Sequence, residues 1–273
     1  MSLSLSPAHT LPGALPFTCW TVHADHTELS HTGVIAETLV SIYLNGQELA
    51  TVMCSPLDEE ALALGFLFNE GVISSFDEVG LVQANLPRTT IDVLLKRAHV
   101  NPPRRLILTS GCGGGVTLQH LTASYPALDS AYQTTPQVIF QRMKDLQGAA
   151  VLYQHVRGVH TAVLGDDSRL LVSAEDIGRH NAVDKVAGKA LQQGIPTRDR
   201  LLLTSGRISS EMLAKARRLG VPIVASRTSP TSISLQLAHA WNICVVGYVR
   251  QGTLRVYTHP QRLGLPPVAP QEG

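Results

Sequence analysis

A chain of 273 residues with 22 basic and 21 acidic side chains has a formal net charge of +1, which excludes a broad nucleic-acid surface while leaving room for local basic pockets. Aromatic residues make up only 5%, too few for base-stacking platforms, and no apolar run approaches the roughly 18 residues needed to span a membrane. Cys19, Cys54, Cys112 and Cys244 are too scattered for a disulfide framework, so a reducing cytoplasm is expected.

In chain order, residues 1–16 read as a loose Ser-, Leu- and Pro-rich tail without the layout of a signal peptide. From Ala36 to Val52 apolar and polar residues alternate on either side of Asn45-Gly46, a strong hairpin signal. The segment Leu57 to Gly71 has acids in its first turn and a glycine stop, and predicts a buried helix. Short strands are expected near Val79 to Asn85 and Thr90 to Leu95, which makes residues 17–103 a small α+β unit ending at Pro102-Pro103.

The pattern then changes. Strands are predicted at Leu106 to Thr109, His160 to Leu164, Arg169 to Ser173, Arg200 to Thr204, Pro222 to Ala225 and Ile243 to Tyr248. Helices are predicted at Pro136 to Gln147, Arg179 to Gln193, Ser209 to Leu219 and Thr231 to Ala240. This alternation predicts a three-layer α/β domain over 104–260, with a largely parallel sheet and ligands beyond the carboxyl ends of its strands, followed by a tail at 261–273.

Four loops carry the candidate chemistry. In Leu106-Ile-Leu-Thr-Ser-Gly-Cys-Gly-Gly-Gly-Val116 an apolar run stops at Cys112 among glycines. That leaves the thiol little shielding, though a small buried structural cysteine fits the local sequence equally well. Glu175-Asp-Ile-Gly-Arg-His-Asn-Ala-Val-Asp-Lys185 crowds seven polar side chains into eleven positions, read either as a functional strand-helix mouth or as an acidic cap with a solvated face. Thr204-Ser-Gly-Arg-Ile-Ser-Ser-Glu211 and Ser226-Arg-Thr-Ser-Pro-Thr-Ser232 have hydroxyls and backbone amides that either cradle an anion or cap helices. Together the loops point to a phosphate-bearing ligand. Neither Gly-x-Gly-x-x-Gly nor a P-loop is present, and the histidines and cysteines lack zinc-ligand spacing, so no metal ion is expected. His160 reads more readily as structural than as catalytic.

These loops, with Ala61 to Gly71, Gly158-Val-His-Thr-Ala162 and Val246-Gly-Tyr-Val-Arg250, resemble the formate dehydrogenase accessory sulfurtransferases over about Glu37 to His259. The resemblance implies a cytidine-deaminase-like α/β domain with a smaller N-terminal α+β domain, a homodimer, and a cytoplasmic role in molybdenum cofactor sulfuration. A cysteine desulfurase would load Cys112 with persulfide sulfur. The sulfur would pass to the bis(molybdopterin guanine dinucleotide) cofactor, which is then delivered to formate dehydrogenase.

By position Tyr248, Val249, Arg250, Gln251, Gly252 and Thr253 match the segment associated with cofactor binding, with Arg207 and His180 as further cofactor-binding candidates. Sulfur transfer needs an accessible, nucleophilic thiolate on a mobile loop, and Arg179, His180, Lys185 or Arg207 would lower its pKa. Many family members carry Cys-Gly-x-Cys-Gly here, whereas this chain has Gly115 at the second cysteine position, so any transfer must use Cys112 alone. The alternatives are a cofactor chaperone without sulfur chemistry and, from the implied fold only, a zinc deaminase, which would require a Cys-x-x-Cys pair.

Overall fold

The computed structural model describes residues 11–97 and 125–267, together with the backbone of a short strand at Leu106–Leu108. The Cys112 loop lies outside these described residues.

The chain opens with a two-stranded antiparallel ribbon, β1 (Ala14–Val22) and β2 (Thr27–Ile35), in register from Ala14 opposite Ile35 to Val22 opposite Thr27. Regular structure therefore begins inside the segment read as a tail. The ribbon is rich in β-formers, but Phe17, Trp20 and Leu29 remain exposed, so no one-sided burial pattern marks it in the sequence.

Next come β3 (Thr38–Leu44) and β4 (Gln47–Cys54), joined by Asn45-Gly46 with φ of 49° and 82°. Positive φ at both residues gives the twist that favours a two-residue hairpin, as the sequence predicts. Helix α1 (Glu59–Asn69) is followed by β5 (Val79–Ala84), β6 (Thr90–Leu95) and β7 (Leu106–Leu108), completing a five-stranded sheet in the order β5-β6-β3-β4-β7.

Helices α2 (Pro136–Ala149) and α3 (Val151–Val156) lead into a six-stranded sheet. Its members are β8 (His160–Gly165), β9 (Leu170–Asp176), β10 (Leu201–Thr204), β11 (Ile223–Ser226), β12 (Cys244–Arg250) and β13 (Thr253–Val256), in the order β13-β12-β11-β10-β8-β9. Between them run α4 (Arg179–Gln192), α5 (Ser210–Arg218) and α6 (Ser232–Trp241).

The sheet is mixed rather than largely parallel. β10, β11 and β12 run parallel, whereas β8 pairs antiparallel with both β9 and β10, and β13 pairs antiparallel with β12. The β8–β9 and β12–β13 connections are short turns, and short turns join only antiparallel neighbours.

Helices pack on both faces of the six-stranded sheet. Ile139, Met143 and Leu146 of α2 pack on Val163, Leu203, Ala225 and Val246 from one face of the six-stranded sheet. Leu164, Leu202, Val224 and Val245 from the other face join a larger core with Val183 and Ala187 of α4, Leu213 of α5 and Leu237 of α6. Leu201, Leu202 and Leu203 are fully buried, as expected for a central strand covered on both sides.

The larger core continues through Leu62 and Phe66 of α1 to Val40, Ile42, Ile91 and Val93 of the five-stranded sheet. Helix α1 reaches α4 by backbone contact. A Cβ on Gly65 would lie 1.8 Å from the Asp184 carbonyl oxygen, and one on Gly188 would lie 1.8 Å from that of Ala61. Only glycine permits that approach. Among the described residues, no helix is long and apolar enough to cross a membrane.

Candidate functional site

Strand directions bring the described candidate loops to one edge of the six-stranded sheet. The carboxyl ends of parallel β10, β11 and β12 deliver Thr204 to Arg207, Ser226 to Thr228 and Tyr248 to Gln251. Antiparallel β8 brings its amino end, His160 and Thr161, to the same edge, and His160 stands opposite Asp176 at the carboxyl end of β9. The loops are tied to one another. Ser226 Oγ donates to the Gly206 carbonyl at 2.6 Å, Thr161 N–H donates to Ser205 Oγ at 3.0 Å, and Tyr248 N–H donates to the Thr228 carbonyl at 3.0 Å.

The crowded segment from Glu175 to Lys185 divides into scaffold and site. Glu175 accepts from the amides of Leu152 and Tyr153 at 2.8 and 2.9 Å and so caps α3 across the sequence. Asp176 accepts from Ser55 N–H, Gly178 N–H and Asn181 Nδ2 at 3.0, 2.7 and 2.9 Å, and Lys185 Nζ lies 2.6 Å from its Oδ2. Lys185 also donates to the Ser55 carbonyl at 3.0 Å. Asp184 is buried and receives Asn69 Nδ2 at 2.7 Å and Lys215 Nζ at 2.6 Å; burial raises its pKa.

Lys185 is therefore corrected from a candidate thiol activator to a core residue, fully buried against Asp176. What remains of the segment at the edge is Arg179 and His180. His180 Nε2 is 3.1 Å from Glu211 Oε2 and 3.4 Å from Ser209 Oγ. Burial, then the cations Arg179 and Lys215, push His180 down to about 3, so its ring is neutral and donates to Glu211. Arg179 starts α4 beside Arg207, and burial followed by that like charge lowers its pKa.

A cavity of about 880 Å³ opens at this edge between α2, α3 and the strand ends. Arg157, Arg227 and Arg250 line it, with His160, Ser205 and Gln251, and its described lining includes no carboxylate. His160 Nδ1 is 3.4 Å from Ser205 Oγ, and burial with Arg179 nearby lowers its pKa. His160 thus belongs to the cavity wall rather than to the scaffold alone.

The segment from Tyr248 to Thr253 is irregular. Its β12–β13 pairing slips between Gly247 and Arg250, and Tyr248 takes φ of 51°. Such a bulge re-aims side chains. Val249, Arg250 and Gln251 line the cavity, the Tyr248 ring lies 4.5 Å under the Arg255 guanidinium, Gly252 takes φ of 78° in the turn, and Thr253 opens β13. Among the described residues, Arg207 and His180 stand at the same edge without lining the cavity.

Sequence reasoning did not single out Arg157 or Arg227 as ligand-facing. Arg227 lay in a flagged loop, whereas Arg157 ends a six-residue helix whose cap, Glu175, is distant in sequence. Among the described residues, no three His, Cys, Asp or Glu side chains are placed to hold a metal ion.

A family model described as the FdhD/NarQ family matches residues 35–264. The sulfur carrier protein FdhD of Bacillus subtilis strain 168 is 38% identical over 242 residues, covering 84% of this chain and 90% of the relative. The protein of the same name from Staphylococcus aureus strain MRSA252 is 38% identical over 234 residues, covering 84% and 88%. A crystal structure described as that of a formate dehydrogenase accessory protein from Desulfotalea psychrophila superposes with a TM-score of 0.79 at 28% identity, covering 92% of this chain and all of that one.

Proposed function

This chain belongs to the FdhD/NarQ family, and on that premise we propose that it carries sulfur on Cys112 from a cysteine desulfurase to a bis(molybdopterin guanine dinucleotide) cofactor destined for formate dehydrogenase. The observation that carries this reading is the nucleotide-sized cavity, which has three arginines and no carboxylate among its described lining residues. Guanidinium forks match phosphate oxygens, and the hydroxyls of Ser205 and Thr228 add neutral donors. Arg157, Arg227 and Arg250 would hold the diphosphate, and Gln251, on the same cavity wall, would meet the base. The cofactor is cargo, and the chemistry it brings is that of a sulfur acceptor.

The thiolate of Cys112 attacks the outer sulfur of the desulfurase persulfide. The donor S–S bond breaks, the desulfurase cysteine leaves as thiolate, and Cys112 holds the new persulfide. With Gly115 in place of a second cysteine, the loop works by exchange on one sulfur. The same reading takes the three-layer unit as cytidine-deaminase-like, the protein as a homodimer and the compartment as the cytoplasm.

Mass spectrometry after incubation with a cysteine desulfurase and cysteine tests it. One sulfur atom is expected on Cys112 and none at that peptide in Cys112→Ala. Cys112→Ala that still supports formate dehydrogenase activity would replace this reading by a cofactor chaperone without sulfur chemistry.

A further inference from the structure

The cavity leaves two arginines at the sheet edge unused. Arg179 and Arg207 stand at the amino ends of α4 and the loop into α5, outside the described cavity lining. Neither has a carboxylate within ion-pair distance among the described residues, and Arg179 Nε is buried without a hydrogen-bond partner. Glu211, the acid whose charge acts on Arg179, is engaged by His180 at 3.1 Å.

The Arg179 stem packs closely on the Gly206 backbone next to Arg207. A Cβ on Gly206 would lie 2.9 Å from Arg179 Cβ and 3.3 Å from His160 Nδ1, so glycine lets the arginine stem cross the loop. The first-turn amides of α4 and α5 add positive potential on the same side. Two like charges at one edge of the sheet repel one another, and an anion bound between them would relieve that repulsion.

We propose that Arg179 and Arg207 form a second anion subsite, which takes a phosphoryl group separate from the diphosphate held by Arg157, Arg227 and Arg250. Planar forks from two arginines, with helix amides behind them, suit a tetrahedral dianionic oxyanion. A ligand with two separated phosphate-bearing arms would engage both clusters. The identity of that ligand rests on the function proposed above; the subsite does not.

Titration calorimetry on the full chain tests the subsite, with inorganic phosphate as the probe and GDP present at saturation to fill the cavity. Phosphate is expected to bind wild type under these conditions. Arg179→Gln and Arg207→Gln, the latter at an exposed loop position, are expected to weaken it about tenfold or more, the loss of one charge-assisted contact. Arg250→Gln is expected to weaken GDP while leaving phosphate unchanged. Displacement of phosphate by GDP, or phosphate affinity indifferent to Arg179→Gln and Arg207→Gln, would overturn the subsite. If GDP fails to bind wild type while phosphate still depends on Arg179, the nucleotide reading falls and the subsite stands.

Discussion

Lys185 Nζ lies 2.6 Å from Asp176 Oδ2 with both side chains fully buried, so an ion pair clamps α4 to the end of β9 beneath the candidate site, and Ser55, just after β4, is hydrogen-bonded to both. Three further donors to Asp176 and the Ser55 carbonyl on Lys185 complete its coordination. Removing one partner strands a buried charge. Lys185→Met or Asp176→Asn is expected to cost about 3–5 kcal/mol in urea unfolding, and the double variant less than the sum of the two. Strictly additive losses would mean that the two side chains do not act as a unit.

This pair also marks where the sequence stops being informative. The Leu201 to Thr204 strand, the Asn45-Gly46 hairpin and the helix from Arg179 follow from local pattern because burial, turn chemistry and propensity agree there. Lys185 misleads because lysine is almost never fully buried unless paired, and its partner is identified only once β9 and α4 are folded against β4. The mixed sheet is hidden for a related reason: strand order and direction arise from long-range pairing. Of the cavity wall, Arg250 and Gln251 lie in the segment to which the family resemblance pointed, whereas Arg207 and His180 stand outside it and Arg157 reaches it through a helix capped across the sequence.

The contact between α1 and α4 predicts a second kind of sensitivity. Alanine is a better helix former than glycine by about 1 kcal/mol, so Gly65→Ala and Gly188→Ala would stabilise an isolated helix. Here each new methyl meets a carbonyl at 1.8 Å, and the helices must separate. Overpacking of this kind costs about 1–3 kcal/mol or more, so both variants are expected to melt below wild type. A raised melting temperature for either would show that the two helices do not meet at these glycines.

His180 predicts a pH dependence of stability. Its folded pKa of about 3 lies below the usual value of 6.5, so between these limits the unfolded chain binds the extra proton. Stability contributed by the neutral ring is intact above pH 6.5 and declines as pH falls toward 3. At pH 5 the loss relative to His180→Asn is expected to be on the order of 1–2 kcal/mol. Urea midpoints of the two proteins between pH 7 and 5 give the comparison. Parallel curves would mean that the folded ring titrates as it does in the unfolded chain.

The thiols of the scaffold set the background against which a sulfur-carrying cysteine is read. Cys54 and Cys244 have no solvent exposure, and burial pushes both up to about 12. At pH 8 about one in ten thousand such thiols is ionised, so neither competes for a persulfide or an alkylating reagent. Cys19 is half-buried on the ribbon. Native thiol titration at pH 8 is therefore expected to count Cys112 and Cys19, with Cys54 and Cys244 reacting only in denaturant. Cys112→Ala should lower the native count by one, and Cys19→Ser should do so without affecting sulfur loading. Native labelling of Cys54 would show that the junction held by Asp176 and Lys185 opens in solution, because Cys54 ends β4 immediately before the clamped Ser55.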